Sequence, residues 1–92
     1  MSAKEMFEEL GFKEYSNDNI TISYKYKANR ENTNYMIVFY FSDNTYQVFT
    51  QSYSSRLLKE KKYLPIYEPY RINKKLHDAI TKQLEELGWL NK

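Results

Sequence analysis

The side chains best equipped for chemistry are few. His77 is the single histidine of the chain, and it falls one position off the apolar stripe of the helix that carries it. A general base needs a partner within hydrogen-bond reach, and nothing around His77 signals one, so a structural or solvent-facing role is expected. Glu8-Glu9 and Glu85-Glu86 are paired carboxylates, yet neighbours on a helix point about 100° apart and do not form a joint site. With no cysteine there is no thiolate nucleophile, disulfide framework or sulfur metal site. No glycine-rich phosphate loop, nucleophile elbow or HExxH pair occurs. The expectation is a protein that is not an enzyme, with no catalytic, cofactor-binding or metal-binding residues.

Binding chemistry is better represented. Seven cations and two carboxylates lie between Arg56 and Lys75, a local charge of +5 in a chain whose net charge is +2, so the remainder carries −3. Lys59, Lys61, Lys62, Arg71, Lys74 and Lys75 are interleaved with Tyr63, Tyr67 and Tyr70. Such a mixture combines phosphate-neutralising groups with groups on which bases stack. Arg71, Lys74 and Lys75 also gather at the start of a helix, where a cation opposes the dipole by about 0.3–1 kcal/mol. The acidic pairs are equally misplaced, at the negative ends of two helices. Tertiary pairing with other surface charges is one account; an anion held by Arg71, Lys74 and Lys75 at the helix start is the other.

The elements that must position these groups are legible in part. A chain of 92 residues with 41% hydrophobic and 28% charged residues makes one globular domain with a single modest core. No apolar run of about 18 residues and no signal-peptide pattern occurs, so no membrane association is expected, and the lack of cysteine fits the cytoplasm. Residues 73–88 read as a helix: Leu76, Ile80, Leu84 and Leu87 form one face. Asn73 is its N-cap, Gly88 its left-handed C′ residue, and Trp89 is set to fold back toward Leu84. Residues 1–11 form a shorter helix, with Ser2 and Glu5 as a capping box and Gly11 and Phe12 repeating the ending of the longer one.

Between the helices, residues 20–53 read as a three-stranded antiparallel meander. Ser16 to Asn19 is turn chemistry. Ile20, Ile22, Tyr24 and Tyr26 alternate with polar residues, as in a half-buried strand. Ala28 to Asn34 is a polar loop. Tyr35 to Phe41 is apolar on both faces, and an Asp43-Asn44 turn would pair Phe41 with Tyr46, Phe39 with Val48 and Val38 with Phe49. Ile37, Phe39, Phe41, Tyr46 and Val48 then seat the helices. Met36, Val38, Tyr40, Phe49 and Tyr53 face the other way, and a second aromatic face invites dimerisation or partner contact, unless the following segment or one of the helices covers it. Residues 54–72, with two prolines, cannot be helix throughout and are expected to form an extended basic and tyrosine-rich arm. Ten tyrosines suit half-exposed strands and binding surfaces alike.

Two resemblances follow. The α-β-β-β-α order with Lys74-Lys75 opening the last helix resembles the double-stranded-RNA-binding domain, although Ala28 to Asn34 stands where that family has its glycine-proline-histidine loop. The stretches from Ala3 to Phe12 and from Leu76 to Trp89 resemble small uncharacterised proteins of Gram-positive phages and prophages. That resemblance implies an accessory protein acting in the cytoplasm of a bacterial host, and it transfers no functional residues. The expected fold is α+β, a three-stranded antiparallel meander packed by an N-terminal and a C-terminal helix. The expected function is binding of a host or phage protein, with homodimerisation possible, through Met36, Val38, Tyr40, Phe49, Tyr53, Tyr63, Tyr67 and Tyr70. The alternative is nucleic-acid binding through the basic region.

Overall fold

The computed structural model describes residues 1–28, 32–53 and 66–90. Helix α1 (Ala3–Glu9) is followed by strands β1 (Lys13–Asn17), β2 (Thr21–Lys27), β3 (Thr33–Tyr40), β4 (Thr45–Ser52) and β5 (Ile66–Pro69), and then by helix α2 (Lys74–Glu86). The strands form one five-stranded antiparallel sheet in the order β1-β2-β3-β4-β5. The fold is α+β as expected, with five strands where three were anticipated.

Both additional strands are edges. In β1, Ser16 and Asn17 are not turn residues but pair with Ser23 and Ile22. The turn begins at Asp18, whose Oδ1 accepts from the N–H groups of Ile20 and Thr21 at 2.7 and 2.8 Å. Ile20 therefore belongs to the turn, and its side chain is exposed. The expected extended arm is in part β5, which pairs with β4 from Phe49↔Pro69 to Ser52↔Ile66. Thr50 Oγ1 donates to the Glu68 carbonyl at 3.2 Å, so that carbonyl faces β4. By alternation the backbone of Pro69 faces outward, where a missing N–H costs no ladder bond.

The β3–β4 hairpin is shifted by two residues from the expected register. Phe39 pairs with Tyr46, Ile37 with Val48 and Met36 with Phe49, while Tyr40 pairs with Thr45. The connection is the longer turn Phe41–Asn44, with Asn44 at φ 57°. A shift of two preserves the side-chain faces, whereas a shift of one would have inverted them.

Both helices pack on one face. Phe7 stacks on Tyr24 with ring centroids 4.1 Å apart and meets Phe39 edge-on at 6.4 Å. Leu76, Ala79 and Ile80 complete the core with Ala3, Phe12 and Ile37. Trp89 extends it, its ring 6.3 Å from Phe39 and 6.1 Å from Phe41. Beneath α2, the Tyr24 hydroxyl donates to Gln83 Oε1 at 2.6 Å, a buried pair. Burial, with smaller contributions from Glu14, Glu86 and Glu8, pushes the Tyr24 phenol up to about 12.

The helix ends follow local rules. Ser2 and Glu5 form the capping box, and Asn73 accepts from the Leu76 N–H at 2.8 Å. Each helix closes with the same pair of bonds. The N–H of Phe12 reaches the Phe7 carbonyl and that of Gly11 the Glu8 carbonyl; Trp89 reaches Leu84 and Gly88 reaches Glu85. Gly11 and Gly88 adopt φ of 94° and 76°, which that ending requires. One misplaced acid finds its partner here. Glu86, at the negative end of α2, accepts from the Ala3 N–H at 2.7 Å and so sits at the positive end of α1.

Candidate functional site

The sheet face turned away from α1 and α2, the distal face, is built by alternate residues of all five strands. One row across it reads Lys13, Lys25, Met36, Phe49 and Pro69. The next row reads Lys27, Asn34, Gln51 and Tyr67, and on the other side Ser16, Ser23, Val38 and Gln47 are aligned. Polarity therefore changes across the strands. The β1–β2 end is basic and hydroxylated, and the β3–β5 end is apolar and aromatic.

The aromatic end holds a groove of about 550 Å³, lined by Tyr40, Gln47, Phe49, Tyr67 and Pro69 among others. Phe49 and Tyr67 meet edge-on at 5.5 Å, an arrangement favoured by the ring quadrupoles. The Tyr40 hydroxyl donates to Gln47 Oε1 at 2.9 Å, fixing the far wall. Tyr67 is 59% exposed. A concave aromatic surface with a few amides is suited to contacts that combine apolar burial with hydrogen bonding.

Of the residues expected to form a protein-binding surface, Met36, Val38, Tyr40, Phe49 and Tyr67 share this face. Met36 is only 6% exposed and serves as its floor. Tyr53 is half-buried just beyond β4, its N–H bonded to the Asn32 carbonyl at 3.0 Å. Tyr63 lies outside the described residues. Tyr70 belongs to the helix side, where it packs on Tyr35 with centroids 4.9 Å apart and where its buried hydroxyl has no hydrogen-bond partner among the described residues. Burial, followed by the Tyr35 phenol, raises the Tyr70 phenol well above its ordinary value. Tyr70 is thus the end of an aromatic run, Phe12-Tyr26-Tyr35-Tyr70, away from the distal face.

Of the basic set expected to contact an anion, Arg71, Lys74 and Lys75 lie among the described residues. Lys74 Nζ pairs with Asp78 at 2.8 Å, one turn along α2, and that bond is the largest cause of the lowered Asp78 pKa. Arg71 lines a cavity with Tyr70 and Asn73, while Lys75 borders a different one with Met6, Glu9 and Asp78. Lys59, Lys61 and Lys62 lie outside the described residues, as does the part of the connection from 54 to 65 that was considered as a cover for the distal face. His77 is exposed, with Nδ1 3.9 Å from Asp78. No group of three potential metal ligands occurs among the described residues, and no helix there is long and apolar enough to cross a membrane.

A second grouping was not anticipated. Lys13, Lys25 and Lys27 line one cavity at the β1–β2 end, with the Lys25 ammonium 4.6 Å from the centre of the Tyr15 ring. Lys25 and Lys27 were visible as polar positions of a strand, but Lys13 joins them only through the pairing of β1 with β2. Compared with models of protein families, with curated proteins and with solved structures, the chain matches none of them.

Proposed function

We propose that this protein is a non-catalytic accessory protein that binds a protein partner through the aromatic end of its distal face. The groove formed by Tyr40, Phe49, Tyr67 and Pro69 carries this reading. Aromatic side chains concentrated on an accessible, concave surface are what the centres of protein interfaces are made of. The likeness of Ala3 to Phe12 and of Leu76 to Trp89 to small phage proteins supports placing it among phage or prophage accessory proteins working in the cytoplasm of a bacterial host. A second copy of the chain is one partner the groove could take.

The test is a charge placed in the groove. Phe49→Lys and Tyr67→Lys are each compared with the parent chain by affinity capture from a Gram-positive host and by sedimentation over a range of concentrations, with circular dichroism to show that the sheet persists. Loss of a captured protein, or of a concentration-dependent dimer, is expected in both variants. An unchanged capture profile together with unchanged sedimentation would remove the groove as the interface.

A further inference from the structure

The β1–β2 end of the distal face carries a charge arrangement that folding alone does not favour. Lys13 and Lys25 are direct cross-strand partners, and like charges in that relation destabilise a sheet. Lys27 follows on the same face by strand alternation. None of the three forms an ion pair among the described residues. Glu14, which follows Lys13 directly in β1, is engaged elsewhere: Asn17 Nδ2 donates to it at 2.8 Å, and Lys4 Nζ lies 3.5 Å away.

These lysines line a cavity of about 440 Å³ together with Glu14, Tyr15 and Tyr26, within the range of roughly 300–1,000 Å³ typical of small-ligand sites. Tyr15 sits at the irregularity of β1 between Glu14 and Ser16, where an extra residue re-aims a side chain. Its ring is 63% exposed and offers one face to the Lys25 ammonium. Three lysines lining one cavity beside an exposed tyrosine match a ligand that is itself anionic at one end and planar at the other.

We propose that this pocket binds a nucleotide unit, either free or within a single strand, with its phosphate against Lys13 and Lys27 and its base stacked on Tyr15. An acidic peptide would use the lysines but leave the exposed part of the Tyr15 ring unused. Stacking on a tyrosine combined with phosphate neutralisation is the shared chemistry of single-strand recognition.

The test measures binding of short labelled oligothymidylate and oligouridylate by fluorescence anisotropy, and of ATP by calorimetry, at about 50 mM salt. Binding is expected to weaken with salt, with a log–log slope of about −0.7 for each phosphate neutralised. Lys13→Ala combined with Lys27→Ala should weaken it roughly tenfold or more, and Tyr15→Ala about fivefold or more. Lys74→Ala with Lys75→Ala should leave it unchanged. An oligonucleotide that binds more tightly than ATP identifies a strand, and equal affinities identify the free nucleotide. Three results would overturn the proposal: no binding of either probe, binding retained by the Lys13/Lys27 variant, or poly-glutamate binding equally well with no effect of Tyr15→Ala. No binding accompanied by aggregation of the Lys13/Lys27 variant would make these lysines guards of an edge strand only.

Discussion

Tyr24 and Tyr70 show how differently two buried phenols can serve one core. The Tyr24 hydroxyl is matched by Gln83 at 2.6 Å, whereas the buried Tyr70 hydroxyl has no hydrogen-bond partner among the described residues. A buried amide stripped of its partner carries a desolvation cost of about 1–3 kcal/mol, and Gln83 is almost inaccessible to water. Tyr24→Phe should therefore destabilise the protein by about 1–2 kcal/mol in urea denaturation. Tyr70→Phe deletes an unsatisfied group and should be neutral or stabilising by up to about 1 kcal/mol. Equal losses in the two variants would contradict the assignment. Alkali should act on the same residue. The folded Tyr24 keeps its proton until about pH 12, against an ordinary value of 10.0. Its contribution to stability is complete below pH 10 and declines as pH rises toward 12.

At the scale of elements, the two glycines that end the helices share a backbone conformation but not an environment. A Cβ on Gly11 would run into the Tyr26 ring, while one on Gly88 would meet nothing within 4 Å among the described residues. Gly88→Ala should cost only the left-handed penalty, about 1–2 kcal/mol. Gly11→Ala adds displacement of a core tyrosine and should cost visibly more, a ranking that thermal unfolding of the two variants checks. These endings were legible because they are local: the spacing of Phe7, Gly11 and Phe12 recurs as Leu84, Gly88 and Trp89 within a few residues of chain. β1 was not legible for the opposite reason. Lys13–Asn17 is largely exposed and carries no apolar alternation, which is the signal by which a strand is read. β5 was obscured by Pro69, whose acceptability depends on being at an edge, a fact set by β4 and not by its own neighbours. The lysine pocket inherits that limit, since Lys13 meets Lys25 only across β1 and β2.

For the whole molecule, acid is the condition that tests its surface electrostatics. Glu5, Asp18 and Asp78 all have lowered pKa values. The causes are the Ser2 backbone N–H for Glu5, the Thr21 and Ile20 backbone N–H groups for Asp18, and the Lys74 hydrogen bond for Asp78. The folded chain then holds fewer protons than the unfolded chain in this range. Stability is thus complete above the ordinary values of 4.5 and 3.8 and falls as pH drops through the lowered ones. Urea midpoints measured between pH 7 and pH 2 should show a plateau followed by a decline. A flat profile to the lowest pH would mean that these caps and turns contribute nothing. The charge polarity of the distal face, basic at β1–β2 and aromatic at β3–β5, belongs to this scale too, because it exists only once five strands are aligned.

The bond from the Ala3 N–H to Glu86 also says something about how the chain must be made. α1 leaves the ribosome well before the helix that completes its cap and packs beside it. At synthesis rates of about 5–20 residues per second, the nascent Phe7 waits on the order of 4–16 s for α2 to be complete. The sheet can assemble hairpin by hairpin during that interval, but its apolar helix-bearing face stays open until α2 has emerged. Exposure of this kind is what cellular chaperones recognise, so a ribosome stalled before α2 should present a chaperone substrate and not a half-folded domain.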